Sequence, residues 1–139
     1  MSTAEHWFPG RLLEMPAREC RSLMGSTSVG RVAFVDEDGP TVLPVNYVLD
    51  GDTVLFRTSP ANTIGRHLAF ATVAFEVDEF DDYTQSGWSV LVRGIATFVP
   101  YEELAQDDQP LPYPWADGRR PLVVRVTPRS VTGRRLLPG

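Results

Sequence analysis

The amino-acid sequence predicts a mainly β protein, an antiparallel β-barrel with a few short helices. Strand-like runs rich in Val, Phe and Leu outnumber helical runs, and short turn-forming segments join neighbouring runs, as they do in antiparallel sheets. Gly94 lies inside the longest run, at a point where a barrel strand would bend or bulge. At 139 residues the chain fits a single domain, 1–139, that buries roughly two thirds of its unfolded surface.

The first predicted element is a short helix in "MPARECRSLMGS". Pro16 suits its first turn, Cys20, Leu23 and Met24 share one face, and Gly25 ends it. Five strands are predicted next, over Val29 to Val35, Thr41 to Leu49, Thr53 to Ser59, Ala71 to Asp78, and Gly87 to Val99. A helical turn in "YEELAQD", a proline-rich loop and two strands, in "PLVVRVT" and near "SVTGRRL", complete the chain.

The turn around Asp50-Gly51 indicates which residues share a face of the sheet, because Asp-Gly accepts the positive φ of tight hairpins. With those two residues as the loop, Leu49 pairs with Asp52, Asn46 with Leu55, and Pro44 with Arg57. One face then forms core, with Leu43, Val45, Tyr47, Leu49, Val54 and Phe56. The other face resembles either a binding surface or an ordinary solvated face, and carries Pro44, Asn46, Val48, Leu55, Arg57 and Ser59.

The stretch "TVLFRTSPANTIGRH" predicts an anion site where a strand ends and a helix begins. Ser59 caps the helix, Pro60 occupies its first position, and Ile64 and Leu68 form its apolar stripe. Free N–H groups at the start of the helix would lie beside Arg57, Thr58 and Ser59, and Arg66 could add a second positive charge. The alternative is a capped connection that binds no ligand.

Composition excludes several classes of function. A formal net charge of -5 argues against binding to nucleic acid or to anionic membranes, and no apolar run approaches the roughly 20 residues of a membrane helix. All 13 basic residues are arginine, so the Schiff-base lysine of pyridoxal-phosphate enzymes and the lysine of Walker loops are missing. The amino terminus does not resemble a signal peptide, and we expect a cytoplasmic protein.

Two further features have structural interpretations. Cys20 is the single cysteine, which excludes an intramolecular disulfide and predicts a small buried hydrophobic residue. The acidic residues Glu76, Asp78, Glu79, Asp81 and Asp82 alternate through a strand and a turn. That spacing favours a solvated face over a divalent metal site.

The order of these segments resembles the pyridoxamine 5'-phosphate oxidase-like FMN-binding split-barrel family, in its small branch that includes nitroimidazole-resistance-type proteins. The resemblance covers about Ala17 to Ala96. It rests on "FEVD" with the acidic turn that follows, on "GWSVLVRG", and on "PVNY" and "FRTS" in the same order. It implies a split β-barrel and a homodimer with flavin near the subunit interface.

The resemblance also implies roles for individual residues. The FMN phosphate would lie on Arg57, Thr58, Ser59, Asn62 and Thr63, the flavin edge would follow Pro44, Val45 and Asn46, and Trp88 would approach the flavin from the partner subunit. Many relatives have lysine where this chain has Thr63, so the second phosphate charge falls to Arg66. The carboxy-terminal Trp, Arg and His motif of true pyridoxamine phosphate oxidases does not occur in "RSVTGRRLLPG". We therefore expect a different substrate.

The expected function is that of an FMN-dependent oxidoreductase for a small or planar substrate. Such a protein needs no catalytic acid or base of its own, because the flavin carries the hydride or electron transfer. Two alternatives stay open. One is a reductase that uses an 8-hydroxy-deazaflavin coenzyme, and the other is a non-catalytic flavin or haem carrier or sensor.

Overall fold

A computed structural model describes residues 10–58, 71–104 and 122–138 of the chain. The elements in these ranges are β1 (Arg11–Glu14), α1 (Ala17–Met24), β2 (Val29–Asp36), β3 (Gly39–Asp50), β4 (Thr53–Thr58), β5 (Thr72–Asp81), β6 (Ser86–Phe98), α2 (Tyr101–Leu104) and β7 (Leu122–Leu137). The helix predicted after Ser59 and the proline-rich loop lie outside the described residues. Neither α1 nor α2 is long and apolar enough to cross a membrane.

The strands form one antiparallel sheet that closes on itself. Their order is β1-β7-β4-β3-β2-β5-β6, and an additional pairing between β6 and β7 completes a ring of six strands with β1 attached to the end of β7. The predicted mainly β fold, a split β-barrel, is confirmed. The number of strands differs from the prediction in two places: β7 is a single strand where the sequence predicted two, and β1 was not predicted.

An irregularity in the pairing of β6 and β7 lies where the sheet closes, with Arg129 as the extra residue on β7. The register between β6 and β7 shifts between Arg93 and Gly94, which confirms the predicted irregularity at Gly94. A Cβ atom on Gly94 would lie 2.2 Å from the backbone oxygen of Thr127. Glycine is therefore required here, because any side chain would separate the two strands.

The hairpin between β3 and β4 differs from its predicted register. Asp50 pairs with Thr53 and Tyr47 with Phe56, so the loop is Gly51-Asp52 and Gly51 carries the positive φ of 59°. The predicted pairs, such as Pro44 with Arg57, were wrong by two residues. A shift of two positions leaves every side chain on its predicted face, because side chains alternate with a period of two.

The barrel interior holds the main core, and α1 covers part of it. Cys20 and Met24 of α1 are buried and Leu23 packs beside them, as the helix pattern predicted. All six residues predicted for the inner face of the hairpin pack in this core or against it: Leu43, Val45, Tyr47, Leu49, Val54 and Phe56. The buried Cys20 confirms the prediction of a small hydrophobic residue.

Tyr47 connects the helix to the barrel. Its hydroxyl donates a hydrogen bond to the backbone oxygen of Met24, at the end of α1, and lies 3.0 Å from Oγ1 of Thr27. Its ring meets Phe75 edge-on with centroids 5.0 Å apart. Burial raises the pKa of Tyr47, so the hydroxyl keeps its proton and remains a donor.

Replacing Tyr47 with phenylalanine should lower the free energy of unfolding by about 1–2 kcal/mol, because the backbone oxygen of Met24 would lose its buried donor. Urea denaturation at pH 7 measures the difference. Tyr83→Phe is the matched control, since Tyr83 is 97% exposed and should leave stability unchanged. Equal stability of the two variants would show that the Tyr47 hydroxyl contributes nothing.

Candidate functional site

Arg57, near the end of β4, is the predicted site residue whose side chain has an unsatisfied hydrogen-bond donor within the described ranges. It lies on the outer side of the barrel, opposite Val123 of β7, and is half-buried. Its Nε atom is buried and has no hydrogen-bond partner among the described residues. A buried donor without an acceptor costs free energy, and such groups are rare in folded proteins. An acceptor that binds here would remove that cost.

A second arginine on the same outer surface, Arg125, differs from Arg57 because its guanidinium has several hydrogen-bond partners. Arg125, on β7, donates from one terminal nitrogen to Oδ2 of Asp50 at 3.0 Å and to Oγ1 of Thr53 at 2.9 Å. Its other terminal nitrogen lies 3.4 Å from Oε2 of Glu103. Arg125 therefore ties the β3–β4 hairpin to β7 and to α2, whereas Arg57 forms no ion pair within the described ranges.

The surface beside Arg57 is apolar and closely packed. Leu55, Val99 and Val123 form a small cluster outside the barrel, and Val48 packs against it. Leu55 is fully buried even though it points away from the main core. The guanidinium of Arg57 thus lies in a partly desolvated setting, where a charged partner is attracted more strongly than in water.

The predicted flavin-edge residues lie on the next strand. Continuing the register of β3 and β4 by one pair puts Asn46 opposite Arg57, with Pro44 further along the same face. Asn46 is half-buried, and its Nδ2 lies 3.5 Å from the backbone oxygen of Ser28. The side chain of Val45 packs against the core, so only its backbone is available on this side. An amide and a guanidinium therefore meet on one surface.

The remaining predicted site residues do not lie on the outer surface beside Arg57, or lie outside the described residues. Thr58 is buried and lies on the face opposite Arg57. Trp88 is 6% exposed and packs in the main core. It pairs with Arg135 on β7, twelve positions from the partner of Arg57, so one chain does not bring Trp88 and Arg57 together. Its contact with a flavin in a dimer stays a prediction. Ser59, Asn62, Thr63 and Arg66 lie outside the described residues.

A charged cluster on the same outer surface was missed by the sequence analysis. One terminal nitrogen of Arg31, on β2, lies 3.1 Å from Oε1 of Glu76 and 3.1 Å from Oδ2 of Asp78, both on β5. Arg31 also pairs with Pro44 across β2 and β3, so the cluster adjoins the predicted flavin edge. The sequence alone gave no signal for it, because the contact joins residues 45 positions apart.

The surroundings of the cluster raise the pKa of one carboxyl in the acidic run. The pKa of Glu76 rises from its ordinary 4.5 to about 7, chiefly through burial and also through the hydrogen bond and negative charge of Asp78, and Arg31 opposes this rise. Glu79, Asp81 and Asp82 are exposed, as the prediction of a solvated face requires, and the side chains of Glu76 and Asp78 are 33% and 27% exposed. Within the described ranges, no group of three or more His, Cys, Asp or Glu side chains is placed to bind a metal ion.

A separate cavity of about 430 Å³ lies between α1, the β3–β4 hairpin and residues 127–131 of β7. Its lining includes Met24, Leu49 and Val54 on the apolar side and Arg21 and Arg129 at the rim. Of the predicted site residues that the structure describes, none contributes to it. The functional candidates thus gather on the outer surface of the barrel and not at its end.

Comparison with known proteins identifies the family. The sequence profile described as pyridoxamine 5'-phosphate oxidase matches residues 16–135. The chain belongs to this family. An uncharacterized Mycobacterium tuberculosis protein is 34% identical to the chain over 131 residues, which cover 91% of the chain and 86% of that protein.

Solved structures of the pyridoxamine 5'-phosphate oxidase family agree with the barrel. An FAD binding protein from Mycobacterium smegmatis superposes with a TM-score of 0.70 at 30% identity, covering 90% of this chain and 98% of its own. A candidate pyridoxamine 5'-phosphate oxidase from Corynebacterium glutamicum gives a TM-score of 0.79 at 31% identity, covering 94% and 96%. The likeness thus extends over nearly the whole chain.

Glu76→Gln should raise the thermal unfolding midpoint at pH 8.5 by about 2–5 °C and change it less at pH 5. The pKa of Glu76 is about 7 in the folded chain and 4.5 ordinarily, so the folded state binds the proton more tightly and loses stability as pH rises between these values. Glutamine imitates the protonated carboxyl without the charge. Glu79→Gln, on the same strand, should show no such dependence, and an equal gain at both pH values would argue against titration of Glu76.

Proposed function

We propose that the chain binds a flavin nucleotide on the outer surface of the barrel, with FMN as the preferred form. The observation that carries this proposal is the buried Nε of Arg57, which has no acceptor among the described residues. A guanidinium can hold two oxygens of one phosphate through parallel hydrogen bonds, and such charge-assisted bonds are the strong ones. The Mycobacterium smegmatis relative, which binds FAD, supports the same class of cofactor.

Residues of β3 and β4 would bind different parts of the flavin nucleotide. Arg57 would hold the phosphate, together with the segment that begins at Ser59. Asn46 would offer its amide to the polar edge of the ring system, since an amide group both donates and accepts hydrogen bonds. Pro44 would contribute an exposed apolar surface beside it. The donors and acceptors of this site therefore fit a phosphate joined to a flat polar ring.

The bound flavin would supply hydride or electron transfer, and the chain would supply binding, orientation and shielding from water. We infer an oxidoreductase that acts on a small or planar substrate other than pyridoxamine phosphate. The rigid barrel suits this role, because side chains fixed on strands hold their positions more accurately than side chains on loops.

We also propose that the chain forms a homodimer through its outer face, the outward surface of β2, β3, β5 and β6. Four large hydrophobic side chains on this face are exposed: Val29, Val35, Val42 and Phe80. An apolar surface of this kind on a small protein marks a site of association. Two copies of one face that meet about a two-fold axis bury the same residues twice.

Arg57→Ala should weaken FMN binding about ten- to a hundredfold, because one charge-assisted contact typically contributes roughly 1.5 to 3 kcal/mol. Binding of riboflavin, which has no phosphate, should change much less. Quenching of flavin fluorescence measures both affinities, and FAD serves as a third ligand. Arg66→Ala should act in the same direction but less strongly, through its predicted place one turn into the helix.

Arg129→Ala is the matched control. Arg129 is exposed, and its replacement removes the same charge at a different place on the chain. Its affinity for FMN should equal that of the parent. If Arg57→Ala binds FMN as tightly as the parent, or loses FMN and riboflavin equally, the phosphate does not bind at Arg57. The visible spectrum of the purified protein decides between cofactors, because a deazaflavin or haem spectrum would contradict the flavin proposal.

The proposed dimer predicts a particle of twice the chain mass of 15.5 kDa at micromolar concentration. Light scattering coupled to size-exclusion chromatography measures this mass. Val42→Glu should shift the particle toward the monomer, because it introduces a charge into an exposed apolar part of the outer face. Val42 lies outside the buried core, so the variant should keep its circular dichroism spectrum. A monomeric parent chain would overturn the dimer.

A further inference from the structure

We propose that Glu76 takes up a proton when a second copy of the chain covers the outer face, so that the dimer strengthens as the pH falls through neutrality. The inference rests on the dimer proposed above and adds its regulation. It concerns the Arg31, Glu76 and Asp78 cluster, which lies in a groove on that face.

The groove combines small apolar side chains with the charged cluster. It has a volume of about 290 Å³ and is lined by Arg31, Ala33, Val42, Ala74, Glu76, Asp78 and Leu91. Val42 at its edge is 58% exposed, and Val35 and Phe80 on the same face are 72% and 52% exposed. A second copy that covered this face would remove these exposed valine and phenylalanine side chains from water, which favours association.

Among the described residues, the cluster carries one surplus negative charge when both of its carboxyl groups are ionised. Arg31 is the cation in contact with both carboxylates, so two negative charges share one positive charge. The side chains of Glu76 and Asp78 are 33% and 27% exposed. Water at these exposed parts stabilises the surplus charge in a single chain, because moving a charge out of water costs free energy.

The other groups that face Glu76 do not supply a second cation. Leu91 of β6 and Arg31 of β2 are its direct neighbours across the sheet, and Ser89 lies opposite Asp78. The same face carries Arg93 opposite Ala74, and Arg134 opposite Ser89. Within the described residues, neither of these arginines forms an ion pair with Glu76 or Asp78.

Covering the groove would remove the remaining water from the cluster. Burial is the largest cause that already raises the pKa of Glu76 to about 7, so further burial raises it again. The dimer then binds protons more tightly than the separate chains, and mass action strengthens association as pH falls. With one Glu76 in each copy, a further shift of half a unit to one unit gives about a ten- to hundredfold change in the dissociation constant.

Sedimentation equilibrium of the full chain at pH 6.0, 7.0 and 8.5, at constant ionic strength, measures the dissociation constant of the dimer. We expect it to rise about ten- to hundredfold from pH 6.0 to pH 8.5. Glu76→Gln should remove this dependence and keep the affinity of the low-pH form throughout. Glu79→Gln, on the same strand, should behave like the parent. If the dimer is too tight to dissociate, the concentration dependence of its urea midpoint gives the same comparison.

Asp78→Asn provides a second test that does not depend on the folding of Glu76→Gln. Removing the neighbouring negative charge lowers the pKa of Glu76, so the change in affinity should move to lower pH. A dimer whose affinity does not change with pH would overturn the proton uptake and leave the dimer itself intact. Stronger association at high pH would overturn it too, since an arginine of the second copy would then pair with Glu76.

A chain that is monomeric at every pH would overturn both the dimer and its regulation. Flavin content, read from the visible spectrum of the same samples, is a separate result. The cofactor proposal therefore stands or fails independently of the pH series.

Discussion

Closure of the sheet by β7 is the constraint on which the rest of the molecule depends. This one strand of 16 residues pairs with β4, β6 and β1, and its pairing with β6 turns an open sheet into a barrel. The path of β7 is possible because Gly94 lets the backbone of β7 approach closely at the register shift and because Gly133 leaves room for Cys20 and Met15. Ring closure also leaves few unpaired strand edges among the described residues, so these strands meet solvent mainly through their faces.

Those faces carry the polar chemistry of the protein. Arg125 fastens the β3–β4 hairpin to β7 and α2, and Arg31 joins β2 to two carboxylates of β5. Arg57 sits between these anchored regions with a buried donor atom that the described residues do not satisfy. All the basic residues of this chain are arginines, and each guanidinium is a rigid, planar group of donors. Arg31 and Arg125 use these donors to join strands, and we propose that Arg57 uses them to bind a ligand.

The sequence was a good guide where the information is local. Alternation along the hairpin predicted both faces of β3 and β4 correctly, even though the loop lies one residue later than Asp50-Gly51. The sequence does not show which distant segments pair as strands, so it did not predict the contact between Arg31 and Glu76. β1 was missed because "RLLE" shows no alternation, and both of its leucines are exposed. Much of the predicted phosphate segment lies outside the described residues, so only its Arg57 end has a structural description.

The juxtaposition of Tyr47 and Asn46 limits how the chain can vary in length. These neighbours on β3 point in opposite directions, Tyr47 toward α1 and the core, Asn46 toward the surface that bears Arg57. Inserting one residue between the β2–β3 turn and Asn46 would exchange inner and outer side chains over that part of the strand. Inserting two would preserve the sides but shift the cross-strand partners by two residues. Lineages of this barrel can therefore change length freely at the Glu37-Asp38 turn, whereas inside β3 a viable insertion or deletion has an even number of residues or takes the form of a bulge.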